Sequence, residues 1–161
     1  MIWAILGGFV VFIVIVAVIA AGRNKQLLES GKIVKRPMNF WENAEAFLTC
    51  ADYETLRSAV LGTDLSDCAV TVTPDLEGRA VILFQCRHGW NAALRWQGSR
   101  EGRNAFLFYF PAWKKGRYGA PYGASQMNML ATAVERLFLS LDPDTTVETR
   151  RLEIKTKTRL I

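Results

Sequence analysis

Ile2 to Ala21 reads IWAILGGFVVFIVIVAVIAA, twenty residues without one charge. Nothing else in the chain constrains its fold so strongly. At about 1.5 Å of rise per residue, a helix over this run matches the roughly 30 Å hydrocarbon core of a bilayer. A helix also satisfies its own backbone hydrogen bonds where no water is present. Trp3 sits near one end, where an amphipathic ring suits the interface, and Arg23 and Lys25 close the other. A cleaved signal peptide would want a basic leading region and a shorter apolar stretch. No Lys or Arg precedes this run, although Val18-Ile19-Ala20 weakly resembles a cleavage site. The expectation is a retained single-pass anchor over residues 1–22. No cysteine follows the run closely, which argues against a lipid-anchored lipoprotein.

Charge sets the expected orientation. Arg23, Lys25, Lys32, Lys35 and Arg36 follow the run against Glu29 alone. They form a membrane-proximal basic tether over residues 23–37. The positive-inside rule then places the N-terminus outside and the C-terminal domain in the cytoplasm, at the cell membrane. Cys50, Cys68 and Cys86 are an odd set, as expected of free thiols in a reducing compartment. Ala4, Gly7, Gly8, Ala17, Ala20 and Ala21 would permit close approach of a second anchor, so a homodimer is compatible with the pattern. Lipid-facing filler is the plainer account of the same residues.

Residues 38–161 are enough for one soluble domain. Asn39 with Glu42 resembles a capping box, and Ala44, Phe47, Leu48 and Ala51 then fit one helical face. Asp52 reads as the N-cap of a second helix, YETLRSAVLG, with Gly62 as its left-handed stop. Four strand-like runs follow: Cys68–Thr73, Arg79–Cys86, NAALRWQG to Gly98, and Asn104–Phe110. Pro74 to Gly78, His88-Gly89 and Ser99 to Arg103 are the turns between them. Ser125 looks like the N-cap of a long amphipathic helix carrying Met127, Leu130, Val134, Leu137, Phe138 and Leu141 on one stripe, ended by Asp142-Pro143. The basic tail forms a last strand, with a bulge suggested near Arg150-Arg151. The expected fold is α+β: an antiparallel meander of about five strands covered by helices.

The net charge of +5 is unevenly divided. Met38 to Gly78 holds eight acidic residues against Arg57, whereas Arg79 to Ile161 holds fourteen basic residues against six acidic ones. Such a split offers two faces to two partners, or an attraction within the domain. The tail bases Arg150, Arg151, Lys155, Lys157 and Arg159 add to the tether as groups that an anionic leaflet would attract.

FYFPAWKKGRYGAPYGASQ, Phe108 to Gln126, concentrates the chemistry. Trp113, Lys114, Lys115, Arg117, Tyr118, Tyr122 and Ser125 are its candidate contact residues. Cations precede a helix start, whose free N–H groups and dipole favour an anion. The glycine spacing lacks GxxxxGK[ST], which excludes a nucleotide P-loop. Stacking of Trp113, Tyr118 and Tyr122 on single-stranded nucleic acid, helped by Phe108, Phe110 or Trp96, is a weaker reading, since no RNA-binding motif accompanies it. The plainest reading is a connector from strand to helix.

Catalytic chemistry finds little support. His88 is the single histidine, and the Cys86-x-His88 pair lacks the second pair that a structural zinc needs. Asp64, Asp67, Asp75 and Glu77 lack the spacing of a calcium loop. No nucleophile elbow and no HExxH occurs, so no catalytic residue, metal or cofactor is assigned. The sequence therefore points to a membrane-anchored cytoplasmic scaffold that binds a protein partner. A domain for an anionic ligand or lipid headgroup using residues 111–125 is the alternative, and a small membrane-tethered enzyme a further one.

Overall fold

The computed structural model describes residues 2–74, 80–116 and 119–152. The chain divides into two compact units, Met1–Lys35 and Arg36–Ile161.

The first unit is α1, Ile2–Glu29, and its cap. Over Val10–Glu29 the mean hydropathy is 1.7 and none of the stretch is buried. Among the described residues this is the one helix long and apolar enough to cross a membrane. The helix does not stop at Gly22; it runs on through Arg23 and Lys25. Gly31, at φ 70°, ends it in the left-handed conformation that a missing Cβ permits. Its N–H bonds the Leu28 carbonyl at 3.0 Å, and the Ile33 N–H bonds Leu27 at 3.3 Å.

The second unit is α+β, a six-stranded antiparallel sheet with helices on one face. In chain order its elements are β1 (Asn43–Thr49), α2 (Tyr53–Gly62), β2 (Val70–Thr73), β3 (Val81–Cys86), β4 (Trp90–Arg100), β5 (Arg103–Trp113), α3 (Ala124–Leu141) and β6 (Thr146–Arg151). The sheet order is β2-β3-β4-β5-β1-β6. The expected meander is β2 to β5. Glu101 and Gly102, both at positive φ, make the tight β4–β5 turn whose twist suits a hairpin. Asp52 caps α2 as read from the sequence, its carboxylate accepting from the Thr55 N–H at 2.7 Å.

The core lies between the sheet and α3. Phe47 of β1 stacks on Phe138 of α3 with ring centroids 4.2 Å apart, and Phe106 meets the same ring at 5.4 Å. Phe84, Phe108, Phe110 and Trp90 continue the aromatic row edge to face. Met127, Leu130 and Val134 of α3, with Leu56 and Val60 of α2, fill the remaining space. Each such side chain contributes about 1.5–3 kcal/mol by leaving water.

Four local expectations are overturned. Asn39 to Ala51 is no helix: a short 3-10 turn, Phe40–Glu42, leads straight into β1. Asn39 sits at φ 66°, in the left-handed region, and makes no capping bond. Glu45, Phe47 and Thr49 instead alternate toward the helices, and pairing with β5 and β6 on both sides satisfies the β1 backbone. Tertiary pairing thus outweighs the three-residue spacing of Ala44 and Phe47. This strand also raises the count from about five to six. Gly62 is not left-handed; Thr63 follows α2 in an extended conformation and its hydroxyl caps the Ala59 carbonyl at 2.8 Å. No bulge occurs at Arg150-Arg151, which pair regularly with Ala44 and Asn43. The register shifts lie between β4 and β5 instead.

Arg36 ties the entry of this unit to its core. Its guanidinium donates to Glu45 of β1, to Glu135 of α3 at 2.8 Å and to Asn128 Oδ1 at 3.3 Å. Burial pulls its pKa below the ordinary value, and Glu135 opposes that shift. Arg36 was grouped by sequence with the tether cations, yet its side chain is only 10% exposed and its charge is matched inside the domain.

Candidate functional site

The described part of the basic aromatic segment forms an extension between β5 and α3. Its base is double-stitched: the Lys114 N–H bonds the Gly89 carbonyl at 2.9 Å, and the Tyr122 N–H bonds the Lys114 carbonyl at 3.1 Å. Lys115 and Pro121 form an isolated antiparallel bridge beyond it. Gly116 then donates to the Ala120 carbonyl at 2.7 Å. A Cβ on Gly116 would stand 3.0 Å from that same oxygen, which is why this position suits glycine. Arg117 and Tyr118 lie outside the described residues, as do Asp75, Glu77, Lys155, Lys157 and Arg159.

The structure brings some candidate residues together and removes others from the surface. Lys114 and Lys115 are exposed, and among the described residues neither makes an ion pair. Tyr122 is 58% exposed. Trp113 is buried at the end of β5, opposite Trp90. It therefore presents no face for stacking, and neither do Phe108 and Phe110, which belong to the core. Trp96, partly exposed, sits along β4 with its indole on Asn104 at 3.4 Å. The aromatic platform that single-stranded nucleic acid requires is absent from the described part of this segment.

Ser125 is not the N-cap of α3. The helix begins one residue earlier, and the cap is Gly123, at φ 75°, with no side-chain hydrogen bond. Ser125 sits half-buried in the first turn. Against this uncapped start lies Trp90, almost fully buried, whose indole Nε1 has no hydrogen-bond partner. The periodicity of β4 marks Trp90 as a strand residue and says nothing about its nitrogen.

A second polar cluster, at the other end of α3, also escapes sequence reading. Asp142 Oδ2 accepts from the Cys50 N–H at 2.7 Å, the Thr49 hydroxyl at 3.0 Å and Arg103 Nη2 at 3.2 Å. Oδ1 accepts from the Asp144 N–H at 3.1 Å. These donors, the Cys50 N–H foremost, hold the carboxyl down at about 2. Asp142 in turn raises the Arg103 guanidinium above its usual value. The cluster joins β1, β5 and α3 and engages both Asp142 oxygens, although Arg103 Nε is buried without a partner.

His88 is exposed in the β3–β4 turn, and its backbone N–H points to Cys86 Sγ at 3.5 Å. Burial raises the Cys86 thiol. Cys50 is exposed and Cys68 buried, and all three thiols are free. Among the described residues no three His, Cys, Asp or Glu side chains gather as a metal site.

Comparison with protein-family models gives no match, and neither does comparison with curated proteins.

Proposed function

We propose that the chain is a membrane-anchored interaction module. In this reading α1 spans the bilayer and the α+β domain offers the segment 111–125 to an acidic protein partner. The observation that carries it is the pair of unmatched cations, Lys114 and Lys115, beside exposed Tyr122 on a base stitched to the β3–β4 turn. Exposed cations next to an exposed aromatic ring suit an interface anchor, the ring supplying contact area and the cations charge complementarity. A photo-crosslinker at Tyr122 in cells should capture a specific acidic protein, and Lys114→Glu with Lys115→Glu should abolish the capture. Capture that ignores charge reversal would overturn the reading. The charge that follows α1 favours a cytoplasmic domain. Reporters fused after Ile161 test this orientation, and activity of the external reporter alone would reverse it.

A second reading is supported by the uncapped start of α3 at Gly123 directly after these cations. There the domain binds an anionic ligand or lipid headgroup. The unit Arg36–Ile161 should then bind anionic vesicles and lose them on the same charge reversal. Undiminished binding by the reversed variant would exclude it.

A further inference from the structure

We propose that β6 is a self-pairing edge: two copies of this chain join β6 to β6 antiparallel, with Thr149 facing Thr149. The inference goes beyond the readings above and does not depend on segment 111–125. It stands on the exposure of this edge and on the order of its charges.

The sheet ends in two unlike edges, β2 and β6. β2 has four residues, three of them half-buried, and Pro74 follows it. Shortness and proline are devices that keep a second strand away. β6 has six residues, all exposed, and no proline, glycine or bulge interrupts it. One of its sides pairs with β1. In an antiparallel ladder alternate residues turn their N–H and C=O groups the other way, so β6 offers a row of them on its outer side. Val147, 37% exposed, is the apolar member of this edge.

Charge on an edge normally repels a second strand, and the order TVETRR decides which pairing escapes that. A two-fold axis through an antiparallel pair sets one residue opposite itself. Centred on Glu148, Arg150 or Arg151, the axis sets like charges against each other. Centred on Val147 or Thr146, it leaves only three strand residues or one in register. Centred on Thr149, it aligns the five residues from Val147 to Arg151. Glu148 then faces Arg150 of the second copy, and Arg150 faces Glu148 of the second copy. Within one chain these two side chains already meet at 3.0 Å, each more than half exposed. The four groups form a ring of alternating sign, and such a network holds better than one exposed pair. Thr opposite Thr is a favourable cross-strand pair, and the Arg151 stem covers Val147 of the second copy. An edge of one sign would refuse a copy of itself; this one is its own complement.

The test uses the full chain in dodecyl maltoside micelles, with its molar mass followed by light scattering over a dilution series. The chain should be dimeric at the concentrated end. Glu148→Arg and Arg150→Glu each place like charges opposite one another, and each should weaken association about tenfold. An equal mixture of the two variants restores opposite charges at all four positions, and should dimerise as the unsubstituted chain does. A monomer throughout overturns the proposal. So does a dimer that neither reversal affects, since its contact then lies in α1 or elsewhere. So does a mixture that stays monomeric while circular dichroism shows both variants folded. If either variant fails to fold, Thr149→Cys decides, in a chain whose exposed thiol is removed by Cys50→Ser. Facing residues lie about 5 Å apart between Cα atoms, within disulfide reach, whereas the two copies of Val147 would stand about 13 Å apart. Mild oxidation should link Thr149→Cys chains into dimers and leave Val147→Cys chains unlinked. No link at 149, or equal linking at both positions, overturns the pairing.

Discussion

The two ends of α3 are built on opposite plans. At the C-terminal end Asp142 accepts four hydrogen bonds, Phe138 stacks on Phe47, and Thr145 folds back to donate to the Asp142 carbonyl. At the N-terminal end Gly123 brings no side-chain cap, Trp90 Nε1 has no acceptor, and Lys114 and Lys115 carry no counterion among the described residues. One end holds β1, β5 and α3 together. The other has a buried indole N–H and exposed charge left over. Saturated polar clusters stabilise a fold, whereas unsatisfied ones cost stability and persist where something else selects for them.

The largest expected effect tests the closed end. Phe138→Ala removes a ring that is 0% exposed and packed on rings from two strands, Phe47 of β1 and Phe106 of β5. It should destabilise the domain by about 4 kcal/mol in urea unfolding. A loss below about 1 kcal/mol would mean that this end does not hold the sheet to the helix.

Acid should weaken the same end next. The Asp142 carboxyl titrates at about 2 in the folded state, below the unfolded value near ~3.9. Its stabilising effect is complete above pH ~4 and is lost as pH falls through about 2, because the unfolded chain takes up the proton first. Asp142→Asn should lower thermal stability at neutral pH and flatten the acid limb in that window. An unchanged acid limb would assign the dependence to other carboxylates.

The smallest expected effect belongs to the open end. Lys114→Gln with Lys115→Gln should change stability by no more than about 0.5 kcal/mol, as for exposed groups without partners. A clearly larger loss would make these residues structural and dissolve the contrast.

The meander was legible because its turns carry their own chemistry: Glu101-Gly102 needs positive φ, and the near-continuous apolar run within Arg79–Cys86 is visible without knowledge of its neighbours. The apolar run of α1 was legible for the same local reason. β1 was not. Its apolar spacing fits a helix, and only β5 and β6, far along the chain, turn it into a strand. Nor was the fate of Arg36, which depends on Glu45 and Glu135 meeting it from two different elements. Among the candidate contact residues, segment 111–125 was found from composition. The burial of Trp113 and the unmet nitrogen of Trp90 follow from the β4–β5 pairing, which composition does not encode.

The position of β1 has a mechanical consequence. β1 and β6 are antiparallel neighbours, with Asn43 beside Arg151, so the strand that opens the sheet and the strand that closes it end at one corner. A force applied between the chain before Asn43 and the chain after Arg151 therefore peels β6 from β1 one hydrogen bond at a time rather than shearing all of them together. The bond network that the domain relies on in solution would offer little resistance along this axis. Arg36, bound to both Glu45 and Glu135, would be the first clasp to take the strain.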